Sequence, residues 1–187
     1  MAAYELRSCG HCVTVYEAES QPGGLLRYGI PAFRLPGEIV DKSIALLSEM
    51  GVAFKTSQTF GKTLDPEALI AHNEAVIAAV GTGPSGVLDV PGADLPDLVD
   101  AFELLKGVKS GRPPRLGRSV TVIGGGNTAV DTALSCRLLG VEKVSLVALE
   151  ETAHMPAFEL EVKEAVEAGV HLENCWGPTA FIPAGDG

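Results

Sequence analysis

The sequence predicts an α/β fold organised as two similar units, each a mostly parallel sheet flanked by helices. Three observations predict it. Short runs rich in β-branched residues, apolar at consecutive positions, recur at Val13–Tyr16, Ala75–Val80, Val120–Ile123 and Val144–Leu149, as expected of strands covered on both faces. Helical segments with legible ends alternate with these runs, which is the pattern of parallel sheets with crossover helices. One joint, a glycine after the last helical turn followed at once by an apolar strand, occurs twice, at Gly51-Val52-Ala53-Phe54 and Gly169-Val170-His171-Leu172. Its repetition hints that the two units are related.

Taken in order, Ala2–Arg7 reads as the tail of a helix and Val13–Tyr16 as the strand after it. Asp65-Pro66-Glu67 opens a helix to His72, with an N-cap acid, a proline at the first helical position and an early carboxylate. Ala75–Val80 reads as a strand, and Asp100 with Glu103 resembles a capping box at the head of another helix. The segment from Gly107 to Arg118 lacks periodicity and collects Gly, Pro, Lys and Arg; it places the boundary between a unit 1–112 and a unit 113–187. Its bases Lys109, Arg112, Arg115 and Arg118 read either as a solvated linker or as a phosphate contact. After Val120–Ile123, an Ala/Leu-rich helix runs to Leu139, and Gly140 ends it before the strand Val144–Leu149.

Composition bounds the function. The chain has 187 residues, 46% apolar and 20% charged, with Gly 22 and Pro 12, so it is neither a disordered tail nor a fibre. Its 14 basic against 24 acidic residues give a net charge of −10. That balance opposes attraction to nucleic-acid backbones or anionic lipid surfaces, and neither partner is expected. The longest apolar run, Ala75–Val80, is far short of a membrane span, and no targeting pattern opens the chain, so a cytoplasmic protein is expected. The four cysteines are expected to be free thiols.

The chemistry concentrates in Ser119–Asp131, a strand, a glycine turn and a helix start in direct succession that fits Gly-x-Gly-x-x-Ala. Gly124 permits the tight turn, Gly126 lets backbone approach a pyrophosphate, and small Ala129 lets the helix pack closely on the strand. The free N–H groups at the helix start then face two phosphates. This predicts a Rossmann-like dinucleotide-binding unit. An acid at the end of the next strand bonds the ribose hydroxyls in such units. Glu150 and Glu151 are available; the other reading is that both face water. An acid there repels a 2'-phosphate, which favours NADH over NADPH. In the first unit, Val13–Glu17 looks like the same second strand ending in its ribose acid, Glu17. A fingerprint roughly 20 residues upstream would fall before Met1. Either the chain is a fragment or Glu17 is an ordinary surface acid. The first Rossmann-like unit is expected to be incomplete for want of its glycine loop, and the second because the sequence stops at Gly187.

Tyr16-Glu17-Ala18, the run from Pro22 to Pro31 (Pro-Gly-Gly-Leu-Leu-Arg-Tyr-Gly-Ile-Pro), Phe33-Arg34-Leu35-Pro36, Gly81-Thr82-Gly83, Val90–Pro96, Gly124–Asp131 and Met155-Pro156-Ala157 together resemble the glutamate synthase small (beta) subunit family of NAD(P)H-dependent FAD oxidoreductases. The resemblance covers essentially the whole chain. It implies an FAD-binding domain interrupted by an NAD(P)H-binding domain, hydride passing from nicotinamide to FAD, and electrons continuing to an iron–sulfur protein or a large catalytic subunit. By position it implies that Glu17 holds the FAD ribose, that Gly23, Gly24, Leu25 and Arg27 lie around the flavin, and that Thr82 and Gly83 close over the FAD phosphates. It gives the nicotinamide dinucleotide to Gly124, Gly126, Asn127, Thr128 and Ala129. No catalytic side chain is expected, because the cofactors do the chemistry and the protein aligns two rings. The family's usual Tyr-Arg-Arg after the second strand of the nicotinamide unit is here Ala148-Leu149-Glu150, which removes the arginines that would grip a 2'-phosphate. A rival reading is a non-enzymatic nicotinamide-nucleotide-binding or interaction module that has lost FAD.

Other signals are weaker. Cys9-Gly10-His11-Cys12 has dithiol spacing, but no second pair of Cys or His stands at ligand spacing, and no metal site is expected. Glu159, Glu161, Glu164 and Glu167 read as the polar side of an amphipathic helix. Trp176, the single tryptophan, is expected in the core.

Overall fold

The computed structural model describes residues 1–82, 86 and 88–183. It holds two compact units, Met1–Tyr28 with Ala32–Gly83, and Gly29–Pro31 with Pro84–Gly187. Both sheets are parallel.

The first unit comprises α1 (Ala2–Ser8), β1 (Thr14–Tyr16), α2 (Gly24–Tyr28), α3 (Gly37–Glu49), β2 (Ala53–Lys55) and α4 (Pro66–Ala71). β1 pairs with β2 in the register Thr14 opposite Ala53 and Tyr16 opposite Lys55. The expected N-cap of α4 is present: Asp65 Oδ1 accepts from the Glu67 N–H at 3.0 Å. α3 ends as the sequence predicts, with Gly51 at φ +90° and the Val52 N–H bonded to the Leu47 carbonyl. Among the described residues of this unit, the buried apolar side chains are Val40 and Val52.

The run Ala75–Val80 forms no strand. Val76, Ile77 and Val80 are all exposed. A strand exists only where its N–H and C=O groups find a ladder, and among the described residues β1 pairs with β2 alone.

The second unit comprises α5 (Ala101–Lys109), β3 (Ser119–Ile123), α6 (Asn127–Leu138), β4 (Lys143–Ala148), a 3-10 turn at Thr152–His154, α7 (Glu159–Glu167) and β5 (His171–Asn174). The sheet order is β3-β4-β5, with Val122 opposite Leu146 and Leu146 opposite Leu172. Its core is continuous, running from Leu104 and Leu105 of α5 through Val130, Ala133 and Cys136 of α6 to Leu146 and Ala148 of β4. The small residues Ala129, Ala133 and Cys136 let α6 lie close on the sheet. Burial of Leu104 and Leu105 in this core places α5 in the second unit, whereas the boundary expected at 112 attached it to the first. Two bases of the expected linker are engaged: Lys109 Nζ donates to the Ile30 carbonyl, and Arg118 makes a two-pronged ion pair with Glu142 at 3.0 and 2.8 Å.

The two units repeat the same devices. In the first, Arg7 of α1 donates to the carbonyls of Met50 and His11. In the second, Arg137 of α6 donates to those of Ala168, Val141 and Glu142. Each arginine lies against the joint glycine: a Cβ on Gly51 would stand 3.1 Å from Arg7 Nη2, and one on Gly169 3.3 Å from Arg137 Nη2. Past the strand that follows the joint, a non-glycine residue takes a left-handed conformation in both units, Ser57 at φ 57° and Cys175 at φ 62°. The next N–H then returns to the neighbouring strand, Gln58 to the Glu17 carbonyl at 2.8 Å and Trp176 to the Ala148 carbonyl at 3.1 Å. By this correspondence the counterpart of Glu17 is Ala148.

Candidate functional site

β3 runs straight into the glycine turn, and the Gly124 N–H is held by the Val147 carbonyl at 2.8 Å. The three glycines stand in three different settings. Gly124 has φ +140°, a region open almost only to glycine, and a Cβ there would meet Ala129 Cβ at 3.2 Å. At Gly125 a Cβ would stand 2.4 Å from Glu150 Oε2 and 3.3 Å from Pro156 Cδ. Gly126 is different: φ −92° and ψ 170° suit any residue, and a Cβ there would meet nothing within 4 Å. Neither backbone angle nor packing demands a glycine at 126; beyond the modest preference for glycine at an N-cap, its lack of a side chain leaves the backbone open to close approach of a ligand.

Behind that opening lies the start of α6. No side chain caps this helix end, and its first turn carries no acid. Its uncompensated N–H groups and positive dipole end therefore favour an anion.

Of the two candidate ribose acids, the structure brings only Glu150 to the turn. Its Oε2 is buried and has no hydrogen-bond partner among the described residues. Its main chain is fixed by Asn174 Nδ2, which donates to the Glu150 carbonyl at 2.7 Å, while Thr152 Oγ1 donates to Asn174 Oδ1 at 2.9 Å. Glu151 instead faces solvent and stands 3.6 Å from His154. An orphaned carboxylate oxygen beside a glycine turn is the acceptor that a ribose diol satisfies. The residues present fit a dinucleotide.

A strap formed by Met155-Pro156-Ala157-Phe158 crosses the turn. The Ala157 N–H bonds the Gly125 carbonyl at 3.0 Å, and the Phe158 N–H bonds Asn127 Oδ1 at 2.8 Å. Met155 and Ala157 are buried. Asn127, expected at the dinucleotide, thus uses its side-chain oxygen to hold the head of α7. Thr128 and Ala129 supply backbone at the helix start and a close-packed side chain, in that order. The sequence singles out Met155-Pro156-Ala157 as part of the family resemblance but gives no sign that the segment crosses the turn, because its bonds are long-range.

In the first unit, Glu17 closes β1, and its Oε1 accepts from the Glu19 N–H at 3.0 Å. Gly23 has φ +135°, and a Cβ there would fall 2.9 Å from Arg27 Cβ and 3.0 Å from Val40 Cγ1. Arg27 clasps this loop: Nε donates to the Pro22 carbonyl at 2.7 Å, Nη1 to Gln21 Oε1 at 3.2 Å, and Nη2 pairs with Asp41 at 2.6 Å. Gly24 has φ +51°, and Leu25 is exposed. Thr82 is exposed at the end of this stretch, and Gly83 lies outside the described residues.

Trp176, expected in the core, is 67% exposed. It follows β5 at the rim of the sheet, where the left-handed Cys175 turns the chain. Cys9 and Cys12 are exposed free thiols, and among the described residues no three His, Cys, Asp or Glu side chains gather as metal ligands do. Burial pushes the Cys136 thiol up to about 11. No helix among the described residues is long and apolar enough to cross a membrane.

Comparison with known proteins gives the family and the fold. The chain is 39% identical over 180 residues to an NAD-dependent dihydropyrimidine dehydrogenase subunit PreT of Escherichia coli O157:H7, covering 96% of this chain and 43% of that protein. It is 34% identical over 194 residues to a protein of Cereibacter sphaeroides named for the NADPH-linked glutamate synthase small chain, covering 99% of this chain and 47% of that one. The chain thus spans less than half the length of these relatives. Its fold is that of Mycobacterium tuberculosis FprA, solved in complex with NADPH, at TM-score 0.75 and 23% identity over 90% of this chain and 45% of that one. Residues 1–174 match the pyridine nucleotide-disulphide oxidoreductase family, and the chain belongs to it.

Proposed function

We propose that this protein is an NAD(P)H-dependent flavin oxidoreductase, with the second unit holding the nicotinamide dinucleotide and the first contributing to an FAD site. The observation that carries the reading is Gly126, a glycine that neither its backbone angles nor its neighbours require, set before an uncapped helix. When bound, the nicotinamide supplies a hydride that the flavin accepts, with electrons leaving for an iron–sulfur protein or a large catalytic subunit. The chain's own residues bind and orient. The start of α6 and Gly126 take the pyrophosphate, Glu150 accepts from the ribose hydroxyls, and Gly124 with Ala129 sets the distance between turn and helix. In the first unit Glu17 takes the FAD ribose, while Gly23, Gly24, Leu25 and Arg27 shape the wall beside the flavin, closed by Thr82 and Gly83. Kinship to PreT-type and glutamate synthase small-chain proteins supports the reading.

NADH is the favoured donor. A carboxylate beside the glycine turn bonds a free 2'-hydroxyl and repels a 2'-phosphate, and neither neighbour of Glu150, Leu149 or Glu151, is a cation. Calorimetric titration of the chain with NADH and NADPH tests this: NADH binds more tightly. Equal affinities, or tighter NADPH, refute the preference. Anaerobic mixing with FAD and NADH tests the chemistry through loss of the oxidised flavin's visible absorbance. Nucleotide binding without flavin uptake in the natural protein would establish instead the non-enzymatic module.

A further inference from the structure

The turn that joins α1 to β1 is built like the one that joins α6 to β4. Gly10 has φ +90° and Gly140 φ +87°. In the first turn the Gly10 N–H returns to the Arg7 carbonyl at 3.0 Å and the His11 N–H to that of Leu6 at 3.1 Å. In the second the Gly140 N–H returns to the Arg137 carbonyl at 3.0 Å and the Val141 N–H to that of Cys136 at 3.1 Å. An arginine then clamps the residue after each glycine: Arg7 Nη1 donates to the His11 carbonyl at 3.2 Å, and Arg137 Nη1 to the Val141 carbonyl at 2.7 Å. Position by position, Cys9 matches Leu139, His11 matches Val141 and Cys12 matches Glu142.

The match separates what the turn needs from what it carries. The second turn keeps the same course with a leucine and a glutamate at its two ends, so neither place asks for sulfur. Packing does not ask for it either: Cys9 and Cys12 are exposed free thiols, although cysteine is among the residue types most often buried. His11 is exposed too, where its counterpart Val141 is buried. A cysteine that the fold does not use is accounted for by its reactivity. Here there are two, at the C-x-x-C spacing that brings a pair of thiolates onto one metal ion. The main chain between them is already pinned, which lowers the ordering cost of closing a chelate. Among the described residues no third His, Cys, Asp or Glu completes a ligand group. Zn(II), which fills four positions in its structural sites, is poorly served by such a pair. A soft cation content with two sulfur donors is Cu(I). We propose that Cys9 and Cys12 form a two-thiolate site for a thiophilic cation of this kind. On binding, two S–Cu bonds form, the two thiol protons pass to solvent, and no electron is transferred.

The reduced chain, kept free of oxygen, is titrated with Cu(I) against bathocuproine disulfonate, following the chelator's colour and the ultraviolet thiolate-to-metal absorbance. The parent withdraws one Cu(I) per chain and gains that absorbance. Cys9→Ser and Cys12→Ser each lose the uptake, whereas Cys175→Ser, which removes an exposed thiol elsewhere, keeps it. All three variants unfold at the parent's midpoint, because each replaced side chain is exposed; lost uptake is then not lost fold. Zn(II) offered under the same conditions does not stay with the chain through desalting. Copper left entirely with the chelator, uptake unmoved by Cys9→Ser or Cys12→Ser, uptake abolished by Cys175→Ser, one ion shared between two chains, or retained Zn(II) would each overturn the site.

Discussion

Gly126→Ala separates a ligand requirement from a folding requirement more sharply than any other single substitution in this chain. The new methyl group meets nothing within 4 Å, and the backbone at φ −92° accepts it without strain. Two small terms act on stability. Removing a glycine restricts the unfolded chain and stabilises by about 0.4–1 kcal/mol. Alanine is a poorer N-cap than glycine, which costs a comparable amount, about 0.5–1 kcal/mol. The unfolding free energy should therefore stay within about 1 kcal/mol of the parent. Binding responds differently. A methyl group in the opening pushes a pyrophosphate away from the start of α6 and lengthens its bonds to the N–H groups there. Each hydrogen bond to a charged group is worth about 1.5–3 kcal/mol, so losing one weakens NADH by roughly 10- to 150-fold. Urea unfolding and calorimetry on the same samples read both quantities. If Gly126→Ala binds NADH as the parent does, or unfolds, the assignment of this opening to a phosphate is wrong.

Three further outcomes are expected. Glu150→Ala should raise stability by about 1–3 kcal/mol, because an unpartnered buried oxygen is removed, and weaken NADH by roughly 10- to 100-fold with a smaller effect on NADPH; parallel losses for both nucleotides would count against a ribose contact. Asn127→Ala should lower the unfolding free energy by about 1 kcal/mol through loss of the bond to the Phe158 N–H, and Asn127→Asp, which keeps the acceptor, should restore it; a variant as stable as the parent would remove the strap's anchor. Burial holds the folded Cys136 thiol at about 11 against an ordinary 9.0, so the unfolded chain loses its proton first as pH rises. Stability is unaffected below about 9 and falls between there and about 11 by about 3 kcal/mol. Urea unfolding across that range should show the fall in the parent and not in Cys136→Ala.

Much of the second unit was legible because its signals are local. Val120–Ala129 reads as strand, turn and helix from its own residues, and Asp65, Asp100, Gly51 and Gly169 mark helix ends where the structure has them. What was not legible depends on partners distant in sequence. Ala75–Val80 has the composition of a strand, but composition does not supply a ladder. The choice between Glu150 and Glu151 is made by Asn174, more than twenty residues further on, which fixes the bend after β4. Asn127 carries a capping amide whose target, the Phe158 N–H, belongs to the next crossover. The exposure of Trp176 follows from the left-handed turn at Cys175, a conformation that no rule assigns to cysteine.

The arginine-clasped joint leaves one part of each crossover free to vary. α3 has 13 residues and α7 has 9, yet both arrive at the same glycine, the same guanidinium and the same strand start. Because the clasp touches the crossover helix only at the carbonyl that ends it, Met50 or Ala168, whole turns can be added to or deleted from the body of the helix over evolutionary time without sliding the strand beyond it. Descent from one doubled ancestral half would leave this signature: connectors that drift in length between fixed hinges, so that each sheet keeps its alignment while the outer surface is free to acquire new neighbours.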